Sequence, residues 1–325
     1  MDALLIGLGR WGANHVRVLR QIGVTVWAAD VSAERRQWVV AQGVDPAHAV
    51  EDYRSVLDRV DAVDLVTPAD SHLEIADACL RAGKHCFVEK PLTRTAAEGR
   101  TLVAAARESG RVFQVGHIFR FHPVTAALEA ALAAGRIGAV RYATGRFSGF
   151  KRPRTDVGVF QTDGIHYVDL FRHLLRRDPR GVSALQRDFL GRGLDDLSVV
   201  AVHYGDVPVV IEANYFVPGS YRDCVILGED GSLVADYGSS TVTLHRGEHR
   251  RVGPVWEALD TGKEELPASG GEPLRIELEA FLAACRGEQP VAVTADDGLI
   301  AVEVAEAAAQ SARLDRLVTL AELRS

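Results

Sequence analysis

The chain has 325 residues, 47% of them hydrophobic and 25% charged, with a formal net charge of −7. That balance is ordinary for a globular protein, suggests two domains, and argues against broad affinity for nucleic acid or anionic membrane surfaces. No apolar run reaches the ~18 residues of a membrane span. Met1 leads directly into the strand-like run Ala3–Gly9 with no basic stretch, so no leader is expected. Cys79, Cys86, Cys224 and Cys285 have neither metal-ligand spacing nor the density of a disulfide scaffold. They read as reduced, packed thiols of a cytoplasmic protein, and no metal site is expected.

The first third alternates two periodicities. Residues 2–7 form a short apolar run, followed by helical spacing of Trp11, His15, Val18, Leu19 and Ile22 over 11–22. A second strand covers 24–30. Ser32 is placed to cap a helix running to Gln42, with Glu34 in its first turn and Gly43 as its stop. Strands at 62–68, 84–89 and 111–116 alternate with helices at 70–82 and 95–109, closed by Gly83 and Gly110. Strands separated by helices imply βαβ units and a doubly wound parallel sheet.

In that setting Gly7-Leu8-Gly9-Arg10-Trp11-Gly12 gains weight, because it ends the first strand and opens the first helix. Gly7 allows a tight turn, Gly9 close approach of a pyrophosphate, and Gly12 close helix–strand packing. Asp30, at the end of the second strand, suits a carboxylate that accepts from the adenine-ribose hydroxyls. It would repel a 2′-phosphate, which favours NAD(H). Arg35 and Arg36 keep NADP(H) open, since either could reach such a phosphate.

Past residue 120 the pattern changes. Stretches at 141–150, 198–205, 207–216, 222–230 and 240–246 are rich in β-branched and aromatic residues. Gly205-Asp206 and Asp230-Gly231 read as turns between strands. Helices are expected at about 121–134, 163–176, 273–286 and 295–312, and residues 250–272 read as a long loop or lid. The fold class is therefore α/β: a Rossmann domain over 1–120, then an α+β domain over 121–325 with an open, mostly antiparallel sheet.

Two stretches carry candidate chemistry. The apolar strand 84–89 ends in Glu89-Lys90-Pro91, and ligands of open parallel sheets bind at the carboxyl ends of strands. Pro91 restricts the backbone of Lys90 and would fix the direction of its amine, so Lys90 suits proton transfer. Taken alone, the pair also fits a solvated loop. The second stretch is Thr162-Asp163-Gly164-Ile165-His166-Tyr167-Val168-Asp169. On a helix, Thr162, Asp163 and Asp169 lie three or four positions from His166, on one side. A carboxylate beside an imidazole suits general acid/base work; the same residues also fit helix capping or surface pairing. Arg152 and Arg154, just before, could clamp an anionic substrate or remain solvated.

The ordered set "GLGRWGANH", "VTPADSHLEIADACLRAGKHCFVEKPL", "QVGHIFRFHP", "GRIGAV", "TDGIHYVDL" and "VTADDGLIAVEVAEAAAQSA" resembles the Gfo/Idh/MocA family, the glucose–fructose oxidoreductase and inositol dehydrogenase relatives. These pieces run over nearly the whole chain. The resemblance implies a nicotinamide-dependent oxidoreductase acting on a sugar, cyclitol or related polyol. It places Lys90 near the nicotinamide and the reacting hydroxyl, with His166 as acid/base. It puts Gly7, Gly9, Arg10, Trp11 and Gly12 around the diphosphate and Asp30 at the adenine ribose. Thr67, Pro68 and His72 match the family's next cofactor-edge loop, with Glu89 alongside. Homodimers or tetramers packed through the open sheet are usual in such relatives. One departure stands out: many relatives carry an acid four positions before the histidine, where this chain has Thr162, and its Asp163 stands only three before. An imine or carbonyl reductase, or a non-catalytic NAD(H)-sensing protein, are the competing readings.

Overall fold

The computed structural model describes residues 1–324. By contacts the chain divides into two compact units, one of Met1–Ile118 with Glu272–Val302, the other of Phe119–Gly271 with the residues from Glu303 on. The units are interleaved, where the sequence reading has one crossing near residue 120.

In the first unit, strands β1 (Asp2–Ile6), β2 (Thr25–Ala29), β3 (Ala49–Val50), β4 (Ala62–Leu65), β5 (His85–Glu89) and β6 (Phe113–Gly116) form one sheet. Its order is β3-β2-β1-β4-β5-β6, and every pairing is parallel. Helices α1 (Gly12–Gln21), α2 (Ala33–Ala41), α3 (His72–Arg81) and α4 (Ala96–Ser109) connect the strands. Their ends follow local chemistry. The Ser32 hydroxyl accepts from the Arg35 N–H at the start of α2. Thr95 and Glu98 cap the start of α4 reciprocally, and Gly110 ends it at φ 61°. The order reverses between β1 and β4, so the doubly wound sheet opens its crevice there.

The helix Pro273–Cys285 explains the interleaving. It spaces Leu274, Leu278, Phe281 and Leu282 along one face, and these pack into a core with Leu5, Leu8, Val16, Leu19 and Phe87. At its start Arg17 forms a two-pronged ion pair with Glu272. Sequence separation hid this partnership, since an amphipathic helix carries no mark of which sheet it will cover.

Among the described residues the second unit holds nine strands: β7 (Val140–Gly149), β8 (Gly181–Arg187), β9 (Leu197–Tyr204), β10 (Val207–Asn214), β11 (Ser220–Gly228), β12 (Ser232–Asp236), β13 (Thr241–Val252), β14 (Val255–Leu266) and β15 (Val318–Thr319). The order is β14-β13-β12-β11-β7-β10-β9-β8-β15. Among the described residues β7 and β10 pair in parallel, and the other neighbours are antiparallel. Helices α5 (Pro123–Ala133) and α6 (Ile165–Leu175) belong to this unit.

One expectation is overturned. Residues 250–266 are no lid: β14 pairs along its length with β13, around a turn at Gly253-Pro254 with Gly253 at φ 60°. Most of this hairpin beyond Leu244 is exposed, so it needs no apolar face and shows no alternation to read. Strands β8 and β12 also lie outside the strands read from the sequence.

Leu5 sits on a central strand of the first unit with no solvent exposure. Leu5→Ala should lower stability by about 2–5 kcal/mol, a loss read from the urea midpoint; an unchanged midpoint would mean the site collapses around the cavity.

Candidate active site

The glycine turn follows from close packing. Gly7 has φ 98°, and a Cβ there would lie 2.8 Å from the Val66 carbonyl oxygen. A Cβ at Gly12 would lie 2.1 Å from the Gly7 carbonyl oxygen. Gly9 differs: a Cβ there would meet no protein atom within 4 Å, so nothing inside the chain requires glycine at that place. An open glycine between two sterically demanded ones fits a backbone that a diphosphate must approach. Asp30 clasps the turn from β2: the Leu8 N–H donates to its Oδ2 at 2.7 Å and the Ser32 N–H to its Oδ1 at 2.8 Å. Gly7, Gly9, Asp30, Thr67, Pro68 and Ser71 line a cleft of about 620 Å³ within the first unit, of a size usual for small-molecule sites. Arg10 is exposed beside the turn. Arg36 donates to the Asp30 and Val31 carbonyls at 2.7 and 3.0 Å and to Glu51 at 3.1 Å.

His72 does not face the cleft. It is buried, with Nε2 2.9 Å from the Thr67 carbonyl and Nδ1 3.0 Å from that of Pro91. It thus braces the Thr67–Ser71 loop against the segment after Lys90, and burial lowers its pKa. The Thr67 and Ser71 hydroxyls lie 2.7 Å apart, and Ser71 donates to the Pro68 carbonyl.

Beneath the turn lies a chain of buried charge that the sequence reading missed. His15 Nδ1 lies 2.8 Å from Asp64 Oδ2, and His15 Nε2 stands 3.4 Å from Glu89 Oε1. His15 is 0% exposed, Asp64 1% and Glu89 6%. The indole N–H of Trp11 donates to Glu89 Oε1 at 2.8 Å, and the Lys90 N–H to Glu89 Oε2 at 3.1 Å. Burial opposes a charge on His15, but the Asp64 and Glu89 carboxylates more than offset it and carry its pKa up to about 10. Glu89 is lowered: the desolvation that would raise it is outweighed by its contact with His15 and by the charges of His15 and Lys90. The sequence signal was a histidine on the inner face of the first helix and an aspartate inside an apolar strand.

In the second unit, a turn of π-helix over Phe160–Gly164 leads into α6. His166 is 6% exposed, and its ring stacks on Phe119 at 4.7 Å and Phe147 at 5.4 Å between centroids. Asp163 is buried and pairs with Lys151 at 2.6 Å. Asp169 is taken by Arg120 in a buried two-pronged pair at 2.5 and 2.8 Å. The Thr162 hydroxyl donates back to the Gly158 carbonyl at 2.8 Å. Arg154 pairs with its neighbour Asp156 at 2.8 Å, and Arg152 is exposed. The cation that the basic segment delivers to the buried acid is therefore Lys151, not Arg152 or Arg154. Strand register adds a second: Arg222 of β11 stands opposite Phe147 of β7, its guanidinium 3.6 Å from the ring centre. Burial lowers the Arg222 pKa. No local motif announces Arg222, because pairing across the sheet puts it there. Among the described residues no group of three or more His, Cys, Asp or Glu could hold a metal ion.

The raised His15 pKa has a sign. The folded state keeps a proton that the unfolded state gives up near 6.5, so this contribution is complete below that pH and fades as pH rises toward about 10. Chemical denaturation from neutral to alkaline pH should show stability falling over that window, by no more than a few kcal/mol from this group. His15→Gln should flatten that fall, and an equal slope in the variant would remove His15 as its source.

Comparison with known proteins matches these two parts. Residues 1–117 fit the model described as the oxidoreductase family, NAD-binding Rossmann fold, and residues 129–320 that family's C-terminal alpha/beta domain. A UDP-N-acetylglucosamine 3-dehydrogenase of Acidithiobacillus ferrooxidans is 29% identical over 88% of this chain and 89% of its own. Its solved structure superposes with a TM-score of 0.82 at 26% identity, covering 97% of this chain and 98% of that one. Inositol 2-dehydrogenase 1 of Saccharopolyspora erythraea is 30% identical over 93% of this chain and 91% of its own. A levoglucosan dehydrogenase in complex with NADH and levoglucosan shares the fold, with a TM-score of 0.84 at 21% identity over 98% of this chain and 99% of that one. With both domain models matched in order, the chain belongs to the Gfo/Idh/MocA family of oxidoreductases.

Proposed function

We propose that the chain is an NAD(H)-dependent dehydrogenase that moves a hydride between nicotinamide and a secondary alcohol or ketone carbon of a sugar, cyclitol or nucleotide sugar. The observation that carries this is the glycine turn: Gly9 is left open, Asp30 clasps the turn, and both line the cleft with Thr67 and Pro68. The substrate class follows the relatives, which are named as dehydrogenases of inositol and of UDP-N-acetylglucosamine.

The turn's N–H groups and Arg10 would hold the diphosphate, and Asp30 the adenine ribose. NAD(H) is favoured over NADP(H), because Asp30 offers a carboxylate where a 2′-phosphate would fall and Arg36 is engaged by Glu51 and two carbonyls. When bound, the nicotinamide supplies the hydride acceptor or donor. Lys90 and His166 then handle the hydroxyl proton, as bases for oxidation and as acids for reduction. Stacking on Phe119 and Phe147 fixes the plane of the His166 ring, which suits a proton taken at one defined atom. The Lys151–Asp163 pair and Arg222 favour a substrate with several hydroxyls or an anionic group. The open sheet of the second unit would pack copies into a homodimer or homotetramer.

Binding and chemistry separate experimentally. Fluorescence titration should give an NADH affinity at least about tenfold above that for NADPH; the reverse order would remove the role of Asp30. Turnover is then sought with myo-inositol, simple sugars and UDP-N-acetylglucosamine. Lys90→Ala should cost roughly 10²–10⁴-fold in kcat while NADH still binds, whereas near-normal turnover would sink the assignment.

A further inference from the structure

The buried charge beneath the glycine turn has no part in the chemistry just described. Each ring nitrogen of His15 faces a carboxylate oxygen, Asp64 Oδ2 at 2.8 Å and Glu89 Oε1 at 3.4 Å. A neutral imidazole has one N–H and one lone pair, so it would turn the lone pair toward an anion. With both acids ionised, both sides face a donor only when both nitrogens carry protons; burial raises the Asp64 pKa, so the competing arrangement puts the proton on Asp64 and leaves the imidazole neutral. The rings beside it carry no charge: Phe87 of β5 and Trp11 meet the imidazole edge-on at 5.8 and 5.9 Å. Beyond Glu89, the Lys90 charge also acts on that carboxylate. Glu89 has little room to swing away, since a Cβ on Gly116 of the adjacent strand would lie 2.9 Å from its Oε1.

We propose that His15, protonated at both ring nitrogens, is a positioning residue. It holds the Glu89 carboxylate so that one oxygen ties down the Trp11 indole of the glycine turn and the other the main-chain N–H of Lys90. This rests on the dinucleotide-binding and proton-transfer roles proposed above for the turn and for Lys90. It goes beyond them by joining the two: one buried cation sets both the cofactor turn and the electrostatics at the lysine. Removing the His15 charge leaves Lys90 facing a less compensated carboxylate, so Lys90 should keep its proton to higher pH. Removing the Glu89 charge should do the opposite.

Two measurements on the full-length protein need no substrate. Nitrogen-15 NMR of histidine-labelled protein should show one histidine doubly protonated from about pH 6 to about pH 9, its signal lost in His15→Gln and perturbed in Glu89→Gln. Competitive acylation across pH, read at Lys84, Lys90, Lys151 and Lys263 by mass spectrometry, should move the Lys90 midpoint up in His15→Gln. In Glu89→Gln it should move down, each by about half a unit or more. NADH should bind at least about fivefold more weakly in both variants, through the loosened Trp11. A neutral His15 at pH 7, or a Lys90 midpoint that stays put or moves the same way in both variants, overturns the proposal. A loss of thermal stability with an unmoved midpoint also overturns it, because it marks a purely structural role. If His15→Gln does not fold, the wild-type spectrum and Glu89→Gln decide. Opposite midpoint shifts without turnover on any substrate would leave the positioning role standing and remove the dehydrogenase reading; turnover with unmoved midpoints would do the reverse.

Discussion

Helix α1 begins so close to strand β1 that one methyl group at Gly12 would lie 2.1 Å from the Gly7 carbonyl oxygen. The cofactor edge depends on that approach. It points the first N–H groups of the helix at the end of the sheet, where a diphosphate gains most from the helix dipole. It also brings Asp30 of the neighbouring strand within reach of the Leu8 N–H. The inner face of the same helix carries His15 down to Asp64 and Glu89, so the turn and the charge beneath it share one packing constraint.

Buried charge is expensive, and this unit tolerates it by pairing. An imidazolium and two carboxylates taken out of water cost several kcal/mol each before their mutual attraction is counted. Losing one partner strands the others, which makes such a cluster a poor way to gain stability and a good way to hold a geometry. The second unit solves a similar problem with aromatic rings. Phe119 and Phe147 stack against His166, Arg222 covers Phe147, and Lys151 meets the buried Asp163. There the cations lie on ring faces, where a quadrupole replaces part of the lost hydration.

Much of this was legible in the chain. The alternation of strand and helix over the first 116 residues predicts the parallel sheet, and the glycine spacing predicts the turn. Lys90 at a strand end and His166 on a helix were visible from periodicity alone. The hairpin of β13 and β14 was not, because an exposed hairpin has no buried face and so leaves no alternation of polar and apolar residues. Nor was the return of residues 272–302 to the first unit, since the apolar stripe of Pro273–Cys285 fits any apolar surface of matching shape.

The sequence by itself determined the strands and helices of the first parallel sheet and the glycine turn, and its ordered motifs carried the family resemblance. The elements and the turn rest on spacing between residues near one another in the chain, where backbone geometry sets which side chains share a face. Tertiary structure alone decided the partners: His15 with Asp64 and Glu89, Lys151 with Asp163, Arg120 with Asp169, and Arg222 over Phe147. It also turned His72 from a ligand candidate into a brace between two loops. The physical reason is the same in each case. A charge or ring is chosen by whatever lies opposite it across a sheet or beneath a helix, and that depends on register and packing set by residues far away in sequence.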